Sequence, residues 1–117
     1  MHVLIVDDDH DATELLAFIV QAEFPNATVE CAYDGQQALD MATAHRPDFA
    51  VMDLEMPRMD GEAAASKIAA CYGAKSPRLI ALSGDTPRLA KLQGKGPFHA
   101  VQAKPCDVEK LLNFLRT

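Results

Sequence analysis

The chain has little of what would place it outside ordinary globular proteins. No apolar run approaches the roughly 20 residues that span a bilayer, so no membrane insertion is expected. The apolar start Val3-Leu4-Ile5-Val6 lacks a preceding basic residue and runs straight into acids, which excludes a signal peptide. Only three cysteines occur, Cys31, Cys71 and Cys106, and none forms a C-x-x-C pair. That argues against a disulfide framework or zinc site and for a reducing, cytoplasmic setting. Basic residues are scarce as well: 11 against 17 acidic ones leave a net charge of −6, which disfavours direct contact with nucleic acid. No repeat, low-complexity stretch or Pro/Gly/Ser-rich linker divides the 117 residues, so a single domain over 1–117 is expected.

The charge that is present is unevenly placed. Residues 1–66 hold 2 basic and 14 acidic side chains (−12), and residues 67–117 hold 9 and 3 (+6). Such asymmetry suggests one end that handles cations and another that meets an acidic partner, against the simpler reading of unevenly solvated surfaces.

Short apolar runs recur at Val3–Val6, Ala27–Ala32, Phe49–Met52, Leu79–Leu82 and His99–Ala103. Their mostly unbroken character suits strands buried on both faces of a parallel sheet. Helical signals lie between them. Asp9 or Asp11 caps a first helix that Pro25 stops at Phe24, and Asp34-Gly35 opens a second. An alanine-rich third runs from about Gly61 to Tyr72, with Gly73 placed for its C-terminus. Thr86-Pro87 suits the cap and first residue of a fourth, which Gly94 soon ends. In the fifth, Val108, Leu111, Leu112 and Leu115 share one face. Five βα units with right-handed crossovers make a doubly wound α/β sheet, and function in such sheets gathers at the carboxyl ends of the strands.

Those ends carry Asp7-Asp8-Asp9, Asp53, Ser83 and Lys104-Pro105. Carboxylates that converge at about 4 Å repel by roughly 4 kcal/mol per pair at an effective dielectric near 20, which architecture alone does not explain. A hard divalent cation relieves the repulsion, and few carboxylates with open positions suit Mg²⁺. Lys104 adds a point charge for an anion and Ser83 a hydroxyl donor. Together these groups form a device for phosphoryl transfer, with Asp53 as nucleophile and an aspartyl phosphate as product.

At these residues the sequence resembles the receiver domain of two-component response regulators, over its whole length. The matching segments are Leu4–Asp9, Ala32–Leu39, Met52–Gly61, Ala81–Gly84 and Lys104-Pro105. The resemblance implies a flavodoxin-like (βα)5 sheet of strand order 2-1-3-4-5. It implies that Asp53 takes a phosphoryl group from a phosphohistidine on a histidine kinase or histidine phosphotransfer protein. Mg²⁺, with Mn²⁺ as a substitute, is then held by Asp8, Asp53 and the Glu55 backbone carbonyl, with Asp7 acting through water. Lys104 contacts the phosphoryl group, followed by a cis bond to Pro105, and Ser83 is the hydroxyl that swings onto a phosphoryl oxygen. Pro57 and Gly61 shape the loop, Gly61 through its freedom to take positive φ. A surface near the fourth helix and fifth strand then controls a downstream protein effector, as a monomer or a phosphorylation-dependent dimer. Beyond its own phosphorylation and dephosphorylation no enzymatic activity is implied. Met1 and the end soon after the fifth helix suit a stand-alone protein.

Three positions depart from the family pattern or extend it. Val101 stands where many members carry an aromatic residue, and it cannot sweep the same volume. The fourth helix is brief and followed by Gly94-Lys95-Gly96-Pro97, so it is expected to be the most mobile segment. Its Arg88, Lys91 and Lys95, with Lys110 near, form a basic surface for an acidic partner. Glu55 either adds negative charge beside the phosphoryl group or pairs with Lys104. Two other functions compete: a phosphorylation-independent binding scaffold, and an aspartate-nucleophile phosphatase whose D-x-D start Asp7-x-Asp9 superficially resembles.

Overall fold

Strand and helix alternate along the computed structural model, which describes residues 1–117. The elements are β1 (His2–Val6), α1 (His10–Glu23), β2 (Thr28–Ala32), α2 (Gly35–Ala44), β3 (Phe49–Asp53), α3 (Gly61–Tyr72), β4 (Arg78–Ser83), α4 (Thr86–Leu92), β5 (Ala100–Ala103) and α5 (Val108–Leu115). All strand pairings are parallel and the order is β2-β1-β3-β4-β5, the doubly wound sheet expected. Because strand side chains alternate between faces, each apolar run feeds two cores. Leu4, Val6, Ala50, Met52, Leu79 and Ala81 meet α2, α3 and α4 through Ala38, Ala42, Ala64, Ala65, Ile68 and Leu89. Val3, Ile5, Phe49, Val51, Ile80 and Leu82 meet α1 and α5 through Val20, Leu111 and Leu115. Truncating a fully buried residue such as Ile68 to alanine is expected to cost about 2–5 kcal/mol.

Burial on both faces holds for β1, β3 and β4. The edge strands differ: Thr28 on β2 and Ala103 on β5 are exposed, since each edge strand has a neighbour on one side only.

Every α-helix starts at an aspartate. Asp9, Asp34, Asp60, Asp85 and Asp107 each accept a backbone N–H from the third residue on, at 2.7–3.1 Å. Each such cap is worth about 1 kcal/mol, and the five together account for much of the aspartate content. Asp9 rather than Asp11 caps α1. At α4 the boundary moves by one residue: Asp85 is the cap, with Thr86 and Pro87 inside the first turn. The aspartate wins because its carboxylate accepts the Arg88 N–H at 3.0 Å. Gly73, at φ 57°, closes α3 as expected. The short α4 is seated by buried Leu89 and by Leu92 against the core. All three cysteines are free, and no helix is long and apolar enough to cross a membrane.

Candidate functional site

Parallel strands in register finish at one edge of the sheet, and three of the central ends carry polar groups. Val6 of β1 pairs with Met52 of β3, and Asp53 of β3 pairs with Leu82 of β4, so Asp7, Asp53 and Ser83 follow one another across the edge. Carboxylate oxygens of Asp7, Asp8 and Asp53 lie within 4.8 Å of one another. Lys104 reaches in from the end of β5, its Nζ 3.0 Å from Asp53 Oδ1 and 3.5 Å from Asp7 Oδ2. Of the residues singled out at this edge, Asp7, Asp8, Asp53 and Lys104 thus come together.

Asp53 is the buried member, 1% exposed, while Asp8 faces solvent. Its Oδ1 also accepts the Glu55 N–H at 3.3 Å, whereas its Oδ2 has no hydrogen-bond partner. Burial pushes the Asp53 carboxyl up from 3.8 to about 6; Lys104 pulls it back, and the Asp7 charge adds to the rise. Burial lowers the Lys104 ammonium, but the Asp53 and Asp7 carboxylates outweigh it and hold the group above its ordinary value. At 4.8 Å and an effective dielectric near 20, two carboxylates repel by about 3 kcal/mol. Lys104 pairs with two of the three, Asp53 and Asp7.

The donor set tests what this pocket would hold. It consists of carboxylate oxygens, with no cysteine or histidine in the cluster, and one buried oxygen lacks any partner. Hard oxygen donors beside open positions fit Mg²⁺, and that ion would satisfy both the orphaned Oδ2 and the surplus negative charge.

The loop after β3 approaches closely. A Cβ on Gly61 would stand 2.1 Å from the Asp53 carbonyl oxygen, so glycine is required there for space. Positive φ in this loop belongs instead to Arg58, at 69°, which corrects the expected reason for Gly61. The Lys104–Pro105 bond is cis.

Glu55 and Arg88 also depart from expectation. The Glu55 carboxylate does not pair with Lys104; it accepts the Ser83 hydroxyl at 2.7 Å on both oxygens and Arg88 Nη1 at 3.1 Å. Arg88 Nη2 is in turn 3.1 Å from Asp60 Oδ2 and from Glu62 Oε1. Three acids therefore neutralise Arg88, which removes it from the free basic surface and leaves Lys91 and Lys95 on and after α4. Sequence reasoning also passes over Thr13. Its hydroxyl is 3.0 Å from the Asp7 carbonyl and 2.7 Å from the Asp9 carbonyl, tying α1 to the end of β1. Its signal was a small polar residue on the core face of an amphipathic helix. Val101, half-buried on β5, packs against the core beside Phe98.

A cavity of about 610 Å³ opens beside the acids, between α1 and the segment after β5, with Leu15, Ile19 and Cys106 on its apolar walls. On the same helix Leu15 is 62% and Phe18 72% exposed.

An open parallel sheet of order 2-1-3-4-5, with an acidic pocket and a lysine at its carboxyl edge, defines a class of signalling domain. The model of the response regulator receiver domain matches residues 3–116, and the chain belongs to that family, which serves two-component signalling. Among curated relatives, response regulator MprA of Mycobacterium avium is 46% identical over 61 residues, 52% of this chain and 26% of that protein. The match thus spans about a quarter of the curated relative's length. Among solved structures, the N-terminal domain of an uncharacterized protein from Wolinella succinogenes is 30% identical at TM-score 0.85, covering 99% of this chain and 91% of that one. A chain of the CheX–CheY–BeF3–Mg²⁺ complex from Borrelia burgdorferi is 28% identical at TM-score 0.80, covering 98% and 86%.

Proposed function

We propose that Asp53 is the phosphoacceptor of a cytoplasmic signalling switch, charged by a phosphohistidine on a histidine kinase or phosphotransfer protein. The observation that carries this reading is the buried, unpartnered Asp53 Oδ2 at the floor of an acidic pocket, with Lys104 on the other oxygen. An Asp53 carboxylate oxygen forms a bond to phosphorus while the N–P bond of the donor breaks, and the imidazole nitrogen keeps the electron pair. Lys104 balances the charge of the phosphoryl oxygens, since its ammonium already lies within reach of Asp53. Asp8, Asp53 and the Glu55 carbonyl would hold Mg²⁺, with Asp7 acting through water. Bound there, the ion supplies charge neutralisation between the carboxylates and the incoming phosphoryl group. Water later cleaves the acyl phosphate, so each cycle acts on the protein itself and no external substrate is turned over.

The donor docks on the lip of the 610 Å³ cavity. Asp7, Asp8 and Lys104, which surround Asp53, line that cavity together with Leu15, and Leu15 and Phe18 offer exposed apolar surface on the same helix. Phosphorylation then alters the surface of α4 and β5, which controls a downstream protein. Lys91 and Lys95 there favour an acidic partner.

Intact-protein mass after incubation with acetyl phosphate tests the central step. A single phosphoryl adduct that requires Mg²⁺ and is lost in Asp53→Asn is expected. An adduct that persists in Asp53→Asn, or its absence with acetyl phosphate and with phosphohistidine donors alike, overturns the reading.

A further inference from the structure

Ser83 is fully buried, and its hydroxyl carries a single proton. That proton goes to Glu55, whose two carboxylate oxygens both lie 2.7 Å from Oγ. The Gly84 N–H adds a bond to Glu55 Oε1 at 3.3 Å, and the Asp85 N–H donates to Ser83 Oγ at 2.9 Å. Asp53 Oδ2 meanwhile has no partner. The hydroxyl is therefore committed away from the phosphoacceptor, although it ends the strand next to it.

Glu55 is itself held. Arg88 Nη1 lies 3.1 Å from its Oε2, and Nη2 anchors the guanidinium to Asp60 and Glu62 at the start of α3. With its side chain 24% exposed, Arg88 is a partly desolvated cation among three acids, a setting in which charge-assisted bonds are worth more than on an open surface. It also sits on α4, and its backbone N–H is bound by the cap Asp85, two residues after Ser83.

We propose that Glu55 and Arg88 are positioning residues that withhold the Ser83 hydroxyl from Asp53. Glu55 competes with a phosphoryl oxygen for the one Ser83 proton, and Arg88 keeps Glu55 in place to do so. When the phosphoryl group wins, the Gly84-Asp85 turn loses its Glu55 contacts and carries the α4 cap with it. The ion-pair cluster is then the mechanical link between Asp53 and the α4 surface. This inference rests on the phosphoacceptor reading above, and a state held back in this way is populated by removing its restraint.

Beryllofluoride with Mg²⁺ is a suitable probe, read by two-dimensional NMR of the amide signals, which also shows that each variant is folded. Glu55→Ala and Arg88→Ala are both expected to raise the apparent beryllofluoride affinity, by about three- to tenfold, a typical coupling between sites. Simple electrostatics predicts opposite signs, because one substitution removes a negative charge and the other a positive one. In a Ser83→Ala background both gains should vanish, as expected when two residues act through a third. In the free Glu55→Ala protein the Gly84 amide signal should shift towards its beryllofluoride-bound position, and Glu55→Gln, which keeps an acceptor oxygen, should shift it less. Gains that survive in Ser83→Ala, or a loss of affinity in Arg88→Ala, overturn the proposal while leaving the phosphoacceptor intact. Failure of the wild-type protein to bind beryllofluoride overturns the phosphoacceptor reading, and the proposal falls with it.

Discussion

Lys104 Nζ lies 3.0 Å from Asp53 Oδ1, on the side of the carboxylate away from the unpartnered Oδ2. One oxygen of the buried acid is thus neutralised by the protein, and the other is left for something the protein does not itself supply. The consequences of that division can be measured.

Without a divalent cation, the Asp53 carboxyl should make folding depend on pH. Its folded value, about 6, exceeds the ordinary 3.8, so between these limits the folded state binds more protons than the unfolded one. Stability then falls as pH rises through this window, by up to about 3 kcal/mol at 1.36 kcal/mol per unit. Urea denaturation in chelator should show this decline in the wild type and a flatter profile in Asp53→Asn, which becomes the more stable protein at pH 7. Parallel profiles for the two would contradict the account.

Phe18 should matter to the donor and not to the fold. Its ring is 72% exposed, so Phe18→Glu is expected to change stability by less than about 0.5 kcal/mol. Phosphotransfer from a phosphohistidine donor should slow by about tenfold or more, the cost of removing one apolar anchor. Labelling by acetyl phosphate, which needs no docking surface, should be unchanged. Equal loss with both donors would remove α1 from the docking face.

Gly61→Ala should disturb the site from behind. The added methyl would stand 2.1 Å from the Asp53 carbonyl oxygen, and a backbone neighbour cannot simply rotate away. A loss of about 2 kcal/mol in stability is expected, together with slower phosphorylation, because the strand end that carries the nucleophile must shift. A variant with wild-type unfolding and labelling would show that the loop is more compliant than this contact implies.

The cysteines should react in sequence. Cys71 is exposed, whereas burial raises the thiols of Cys31 and Cys106, with Glu14 adding to the first and Asp107 to the second. Iodoacetamide at neutral pH should modify Cys71 first, and raising the pH should accelerate the other two as their thiolates form. Peptide mapping at two pH values checks the order; early modification of Cys106 would contradict it.

Much of the architecture is legible without coordinates. Runs such as Val3–Val6 and Phe49–Met52 stand out because β1 and β3 are covered on both faces, so neither face needs polar residues. Asp7, Asp8, Asp53 and Lys104 converge because parallel strands end at one edge, which makes contacts between distant residues predictable from topology. The Arg88 cluster is not legible in this way. It joins residues 26 to 33 positions apart, on α4, in the loop after β3 and at the start of α3, and no local pattern marks such a pairing. The edge positions of β2 and β5 follow from the strand order that the resemblance implies, not from the composition of the two runs.

The most direct test of the central claim is to reduce the phosphorylated protein with borohydride, which converts an acyl phosphate to the alcohol, and to map the product by peptide mass spectrometry. The account predicts homoserine at position 53, formed only after incubation with donor and Mg²⁺. Homoserine at Asp7 or Asp8, or an unreduced Asp53 in a protein that carries the phosphoryl adduct, would contradict it.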